Sequence, residues 1–262
     1  MEIPFIKYQG TGNDFVMIDN LKGKWNELSI TAIQALCDRK FGIGADGLIK
    51  LNASSDFDFE VDYYNADGSK SFCGNGARCA VAFAKQNGIN TSTVRFTAID
   101  GEHLASHVGD IVSLLMNDVN TARKESTDYV IDTGSPHYIR FVDKAEGFPV
   151  YEEGFKIRYS DTFKEEGINV NFVEVIGERE LFVLTYERGV EDETLSCGTG
   201  VTAAALAFAI EKKLMGHQVI SIKTKGGGLQ VTFNRTGAET FERIFLIGPA
   251  IKVFEGVYNG RI

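Results

Sequence analysis

FCGNGARCAVAFA, residues 72–84, and SCGTGVTAAALAFA, residues 196–209, follow one design: a cysteine, a glycine, a polar residue, a second glycine, then an apolar stretch built from small side chains. Cys73-Gly74-Asn75-Gly76-Ala77 aligns on Cys197-Gly198-Thr199-Gly200-Val201, which reads as an internal duplication. Each stretch predicts a helix, from Gly74 to about Gln86 and from Gly198 to about Lys213. Helices so uniformly small and apolar in their opening turns suit enclosure by a curved sheet better than a place on a surface.

Outward from the two helices, the same grammar repeats. In the first half, FIKYQGTGNDFVMIDN reads as a hairpin, and SITAIQALC as a helix capped by Ser29. DGLIKLNA, FDFEVDYYN, TVRFTAIDGEHLASHVG and DIVSLLMNDV read as strands joined by Asp, Gly and Asn turns. In the second half, YVIDTGSPHYIRFV and NVNFVEVIGERELFVLTYERG precede the helix, and VISIKTKGGGLQVTFN and RIFLIGPAIKVFEGVY follow it. The fold class is therefore α/β of the α+β type, with two similar halves, each a mixed, mostly antiparallel sheet wrapped around a central helix. The most polar connector, Asn117–Asp128, sets the boundary: residues 1–117 carry Cys73 and residues 118–249 carry Cys197.

Composition narrows the function. A net charge of −9 with the signs interspersed argues against a nucleic-acid or anionic-membrane partner and favours a small molecule. The opening MEIPFIKYQGTGNDF has neither a basic start nor an apolar run, and no later stretch is apolar enough to span a bilayer, so a cytoplasmic location is expected. Four cysteines, Cys37, Cys73, Cys79 and Cys197, are few for a disulfide framework. Their spacing to the histidines fits no zinc site, so no metal is expected.

A cysteine just before a helix lies near several unpaired N–H groups and the positive end of the helix dipole, which favours the thiolate over the value of roughly 8.5 for a free thiol. The glycines leave that backbone open to an anion such as a carboxylate. Either cysteine alone reads equally well as a buried structural thiol. Two in matched settings suit a reaction that inverts a carbon centre, in which one group removes a proton and another delivers one to the opposite face. Helix N-termini aimed at the carboxylate would stabilise the enolate-like intermediate without a metal or pyridoxal cofactor.

TGNDF, YNADGS, CGNGARC, GSPH, INVNF, YERG and ETLSCGTG, in that order along the whole chain, resemble the diaminopimelate epimerases, cofactor-independent two-cysteine epimerases of lysine and peptidoglycan synthesis. The resemblance implies an isomerase that converts LL- to meso-diaminopimelate in a cleft between the halves. It implies that Cys73 and Cys197 are the acid/base pair, with Gly74-Asn75 and Gly198-Thr199 holding the reacting carboxylate. Asn13, Asn65, Asn169, Glu187 and Arg188 are implied to hold the substrate, Arg188 by gripping the distal carboxylate, and His137 and Glu187 to tune one thiol each. It also implies that the last strand, about 250–262, returns to the first half, and that Tyr258 contributes to a homodimer interface. Read without the resemblance, His137 is a loop histidine, Glu187-Arg188 a surface ion pair, Asn13 and Asn65 turn residues, and Tyr258 ordinary packing.

Three departures from the family pattern stand out. ERGVEDETLSC has one residue more than usual between Glu187 and Cys197 and brings acids near a reactive thiol; Ser135 stands where Asn is frequent; and Gly47 stands where some members have Gln. The alternatives are a proline or hydroxyproline epimerase, which would lack the amide-rich set, a cysteine hydrolase using one thiol, or an anion-binding module in which the thiols are incidental.

Overall fold

The computed structural model describes residues 2–260. The chain divides into two compact units. The first runs to Leu114 and takes back the chain from Gly248 onward, and the second is Leu115–Ile247.

In the first unit, β1 (Ile3–Gly10), β2 (Asn13–Asn20), β3 (Gly47–Asn52), β4 (Phe59–Asn65), β5 (Thr93–Ala98), β6 (Gly101–Val108) and β7 (Ile111–Leu115) are joined by the C-terminal strand β17 (Ile251–Tyr258). The spatial order is β17-β1-β2-β3-β4-β5-β6-β7, with β2–β3 and β4–β5 parallel and the other neighbours antiparallel. Parallel neighbours need a crossover. Helix α1 (Ile30–Cys37) makes the first and α2 (Gly74–Gln86) the second.

The second unit contains β8 (Ala122–Glu125), β9 (Asp128–Asp132), β10 (Pro136–Phe141), β11 (Asn169–Gly177), β12 (Glu180–Glu187), β14 (Gly216–Thr224), β15 (Gly227–Arg235) and β16 (Phe241–Pro249). The short β13 (Asp192–Thr194) adds to the end of β12. The order β8-β9-β10-β11-β12-β14-β15-β16 repeats the first unit's sequence of pairings, with β10–β11 and β12–β14 the parallel pairs. Its crossovers are α3 (Val150–Arg158) and α4 (Gly198–Glu211). The duplication thus extends from the cysteine motifs to the whole strand order.

Small side chains let strands close around α2 and α4. Every residue of α4 from Gly198 to Ala209 except Thr199 is buried, and α2 is buried from Gly74 to Val81. The outer helices seal the opposite sheet faces. Ile33 and Leu36 of α1 pack with Ile3, Val16, Ile18, Trp25 and Leu48, and Val150 of α3 packs with Phe172, Leu184 and Tyr186. Tyr258 lies against the first of these clusters.

Besides the short strands β8, inside the stretch read as a polar connector, and β13, the sequence did not announce α3. Pro149 occupies its N-cap without a side-chain bond, and Gly154 interrupts its interior, so its apolar stripe is short and its local propensity weak. Packing supplies what propensity does not. Among the described residues, no helix is long and apolar enough to cross a membrane.

Candidate active site

Each unit places one cysteine at the N-cap of its enclosed helix. In the first, Cys73 has extended backbone, and its sulfur accepts the Gly76 N–H at 3.5 Å. The first-turn N–H groups of α2 have no partner within the helix. Asn13, opening β2, donates Nδ2 to Asp46 at 2.6 Å, which turns its Oδ1 toward the Cys73 thiol and Asn75 Nδ2, each at 3.4 Å.

Asp46 is itself held by Arg39 at 2.6 Å, and Arg39 also grips Asp14. Burial would raise the Asp14 carboxyl, but hydrogen bonds from Arg39 and Lys7 outweigh it and hold the group far below the usual carboxylate range. Asn13 is therefore anchored to a network of paired charges.

Asn65 closes β4. Its Oδ1 accepts from the Tyr63 hydroxyl at 2.9 Å, and its Nδ2 donates to Ser69 Oγ at 3.0 Å and Ser71 Oγ at 3.2 Å, stapling the loop that leads into Cys73. Gly47 explains the room for this arrangement. A Cβ there would lie 2.4 Å from Cε2 of Tyr63, so the Tyr63 ring fills the place a larger residue 47 would take.

Arg78, one turn into α2, is fully buried. It donates to Asn75 Oδ1 at 2.9 Å and to the Gly74 carbonyl at 3.4 Å, so the Asn75 amide presents its NH2 side to Asn13. No carboxylate among the described residues pairs with it; the groups acting on its charge are the Cys79 and Cys73 thiols.

In the second unit, the Cys197 sulfur lies 3.4 Å from Thr199 Oγ1. His137, fully buried on β10, places Nε2 2.8 Å from the same hydroxyl. Burial, reinforced by the positive charge of Arg188, pushes the imidazole down to about 3, so His137 is neutral at physiological pH. On its other side, Asn171 Nδ2 is 3.0 Å from Nδ1. Gly200 permits the close approach: a Cβ there would lie 2.3 Å from Asn171 Oδ1 and 3.3 Å from the imidazole Cε1.

Asn169 is held at both ends of its amide, with Nδ2 donating to Ser135 Oγ at 2.6 Å and Oδ1 accepting the Arg188 N–H at 2.9 Å. Ser135 thus holds a neighbouring amide. Glu187, at the end of β12, accepts from Thr194 Oγ1 at 2.8 Å, and Arg188 donates through Nη1 to the Glu166 carbonyl at 3.0 Å. The acid in the lengthened loop, Glu191, is turned onto Arg158 at 3.3 Å, the Tyr186 hydroxyl at 3.1 Å and the Gly189 N–H at 3.1 Å.

The sequence reading therefore meets two clusters: Cys73, Gly74, Asn75, Asn13 and Asn65 in one unit, and Cys197, Gly198, Thr199, His137, Asn169, Glu187 and Arg188 in the other. It passed over Arg78, Asn171 and Tyr63, although all three stand inside the quoted motifs or directly beside them. A charged residue in an otherwise apolar helix was the available signal for Arg78. Among the described residues, no group of three or more His, Cys, Asp or Glu side chains is arranged to hold a metal ion.

Comparison with known proteins bears on the same motifs. The family profile described as diaminopimelate epimerase matches residues 5–119 and 129–253. A diaminopimelate epimerase of Flavobacterium psychrophilum is 49% identical over 251 residues, covering 95% of this chain and 97% of its own. That of Chlorobaculum tepidum is 41% identical over 258 residues, covering 94% and 98%. Among solved structures, a Bacillus anthracis phenazine biosynthesis protein of the PhzF family superposes with a TM-score of 0.77 at 13% identity, over 98% of this chain and 99% of that one. A hydroxyproline epimerase from Agrobacterium vitis gives 0.69 at 12%, over 98% and 91%. The structural likenesses, at such low identity, speak to fold alone, whereas the sequence matches run through both cysteine motifs at high identity. The chain belongs to the diaminopimelate epimerase family.

Proposed function

We infer that the chain epimerises diaminopimelate, converting the LL to the meso isomer, with Cys73 and Cys197 as the acid/base pair. The observation that carries this reading is the matched placement of the two thiols at the N-caps of the duplicated helices α2 and α4. One thiolate removes the α-proton and becomes a thiol. The electron pair left on carbon spreads into the carboxylate, where first-turn N–H groups at Gly74-Asn75 and Gly198-Thr199 and the helix dipoles stabilise the added charge. The other thiol delivers its proton to the opposite face of the carbon and becomes the thiolate. Proton count is conserved and the two sulfurs exchange states, so the chemistry calls for no redox or electron-sink cofactor.

His137, neutral and bonded to Thr199, acts on Cys197 through that hydroxyl, and Glu187 is the second tuning group. Asn13, Asn65, Asn169 and Arg188 hold the distal amino-acid head, Arg188 offering a planar fork to its carboxylate. The fixed amides of Asn13 and Asn169 support this, because a pre-oriented amide loses little entropy on binding. The same amide set favours diaminopimelate over proline, which has no second head group. Val253, Phe254 and Val257 of β17 are exposed apolar residues beside Tyr258, which supports a homodimer through this strand. A reducing cytoplasm suits an enzyme whose two working groups are thiols.

The test is solvent deuterium incorporation at the α-carbon of LL-diaminopimelate, with reductant, without added cofactor, and with proline in parallel. Label appearing together with the meso isomer is the expected result. Label in proline alone would move the chain to the racemase branch, and label in neither would overturn the reading.

A further inference from the structure

The hydrogen bonds around His137 have a direction that can be read from one end. Thr185 Oγ1 lies 2.9 Å from Asn171 Oδ1, and the amide's other arm, Nδ2, reaches His137 Nδ1 at 3.0 Å and the Tyr138 carbonyl at 3.3 Å. A carbonyl oxygen only accepts, so the arm beside Tyr138 is the NH2 group, and the Thr185 hydroxyl donates to Oδ1. An NH2 group only donates, so Nδ1 of His137 accepts. A neutral imidazole with an accepting Nδ1 carries its proton on Nε2, which then donates to Thr199 Oγ1 at 2.8 Å. The imidazole thus asks only for a lone pair of Thr199 Oγ1, which leaves the hydroxyl its own proton to offer to the Cys197 sulfur, 3.4 Å away.

We propose that Asn171 is a positioning residue that fixes the Nε2–H tautomer of His137, so that Thr199 donates to Cys197 and the resting enzyme holds Cys197 as the thiolate. The proposal rests on the reading of Cys197 as a reacting thiol. Asn171 is fully buried and reaches the sulfur through His137 and Thr199. Cys73 differs in its side-chain partner: besides accepting the Gly76 N–H, its thiol faces Asn13 Oδ1, an acceptor whose orientation Asp46 fixes. A side-chain acceptor thus faces one thiol and a side-chain donor the other, which is the protonation asymmetry a two-base inversion needs at rest.

Of the elements packed against β10, β9 carries Tyr129, Asp128, which accepts from Arg140, and Asp132, which accepts the Gly134 N–H; β11 carries Glu174, which accepts the Ala145 N–H; and α4 carries Glu211 at its last residue and Cys197 at its N-cap. One strand further, β12 ends at Glu187, engaged by Thr194, with Arg188 after it. Of these, only Arg188 acts on the imidazole, and its positive charge disfavours an imidazolium, which keeps the tautomer question a neutral one. On the Cys73 side, the buried Arg78 charge acts in favour of the Cys73 thiolate, so the asymmetry depends on the relay outweighing it.

Two readouts test the proposal without using activity. The first is the 15N–1H NMR signature of His137, one of four histidines in the chain, which distinguishes Nε2–H from Nδ1–H. The second is the pH midpoint of iodoacetamide alkylation at Cys197 and Cys73, resolved by mass spectrometry. Wild type should show Nε2–H and a Cys197 midpoint below that of Cys73. Asn171→Leu should populate Nδ1–H and raise the Cys197 midpoint by about one pH unit, roughly a tenfold slower alkylation at neutral pH, with Cys73 unmoved. Thr185→Val, which frees the amide to turn, should shift both readouts the same way by less, and it serves if Asn171→Leu does not fold.

An Nδ1–H imidazole in wild type, a Cys197 midpoint at or above that of Cys73, or a Cys197 midpoint indifferent to folded Asn171→Leu would each overturn the proposal. Proton exchange on diaminopimelate stands apart from both readouts. An exchanging enzyme with Nδ1–H would keep the function and sink the relay, and Nε2–H without exchange would do the reverse.

Discussion

Arg78 on α2 and Thr202 on α4 stand at the same position of the duplicated helices, and each bonds the carbonyl of the glycine that follows the cysteine, Gly74 at 3.4 Å and Gly198 at 2.9 Å. Only one of the two is charged. The first unit buries a guanidinium without a carboxylate, and what it gains there is the orientation of Asn75.

Stability and activity should therefore separate in Arg78→Met. Removing a buried charge that lacks a carboxylate relieves desolvation and offsets the hydrogen bonds lost, so urea unfolding should change by no more than about 1 kcal/mol. The Asn75 amide loses its clamp beside the anion-binding N–H groups, and kcat/KM should fall on the order of tenfold to a hundredfold. A loss of several kcal/mol with unchanged activity in the folded fraction would contradict this. Thr202→Val, losing one neutral hydrogen bond, should cost about 1 kcal/mol and leave turnover near wild type.

His137 carries a stability prediction with a definite sign. Its imidazole is pushed down to about 3 in the folded chain, whereas it titrates near 6.5 when unfolded. Between those values the unfolded chain binds the extra proton. The contribution of neutral His137 is thus complete above about pH 6.5 and is lost as pH falls toward 3, at about 1.4 kcal/mol per pH unit. Urea unfolding at pH 7 and pH 5 should show wild type losing about 2 kcal/mol more than His137→Gln, which has no such group to protonate. Equal losses in both proteins would show that His137 is not held neutral.

How far the sequence reached can be judged at single residues. The N-caps Cys73 and Cys197 were legible because a cysteine before a Gly-polar-Gly run is a local signal, written on consecutive residues. α3 was not, since Gly154 and Pro149 weaken every local cue and its stability comes from Phe172, Leu184 and Tyr186 on strands distant in sequence. The duplication itself held the missing information: α1 crosses between parallel strands β2 and β3, so its counterpart pair β10–β11 also required a crossover. The second layer of each cluster failed for the same reason as α3. That Asn171 faces His137, or that Tyr63 lies over Gly47, depends on strand register, and register is set by the whole sheet.

The Tyr63–Gly47 contact makes a reciprocal prediction. Gly47→Gln would put a Cβ 2.4 Å from the Tyr63 ring and 2.5 Å from the Tyr64 carbonyl, so it should destabilise by about 1–3 kcal/mol and release Asn65 from the Tyr63 hydroxyl. Gly47→Gln combined with Tyr63→Ala should recover part of that loss, giving a coupling energy of about 0.5–2 kcal/mol in a double-mutant cycle. Additive costs would mean that the ring does not occupy the space of a larger residue 47.

Glu191 tests whether the added acid in the Glu187–Cys197 loop acts on the thiol or on the loop. Its carboxylate serves Arg158, Tyr186 and the Gly189 N–H, and its own backbone has a φ of 58°, a left-handed conformation these bonds help to hold. Arg158 pairs with that charge in the loop that Arg188 opens. Glu191→Gln should therefore weaken the loop, costing about 1–2 kcal/mol and raising KM severalfold through Arg188, with kcat and the Cys197 alkylation midpoint little changed. A midpoint that falls by a full unit in Glu191→Gln would instead show that the carboxylate is felt at the sulfur, and that the loop's extra acid is a brake on the thiolate.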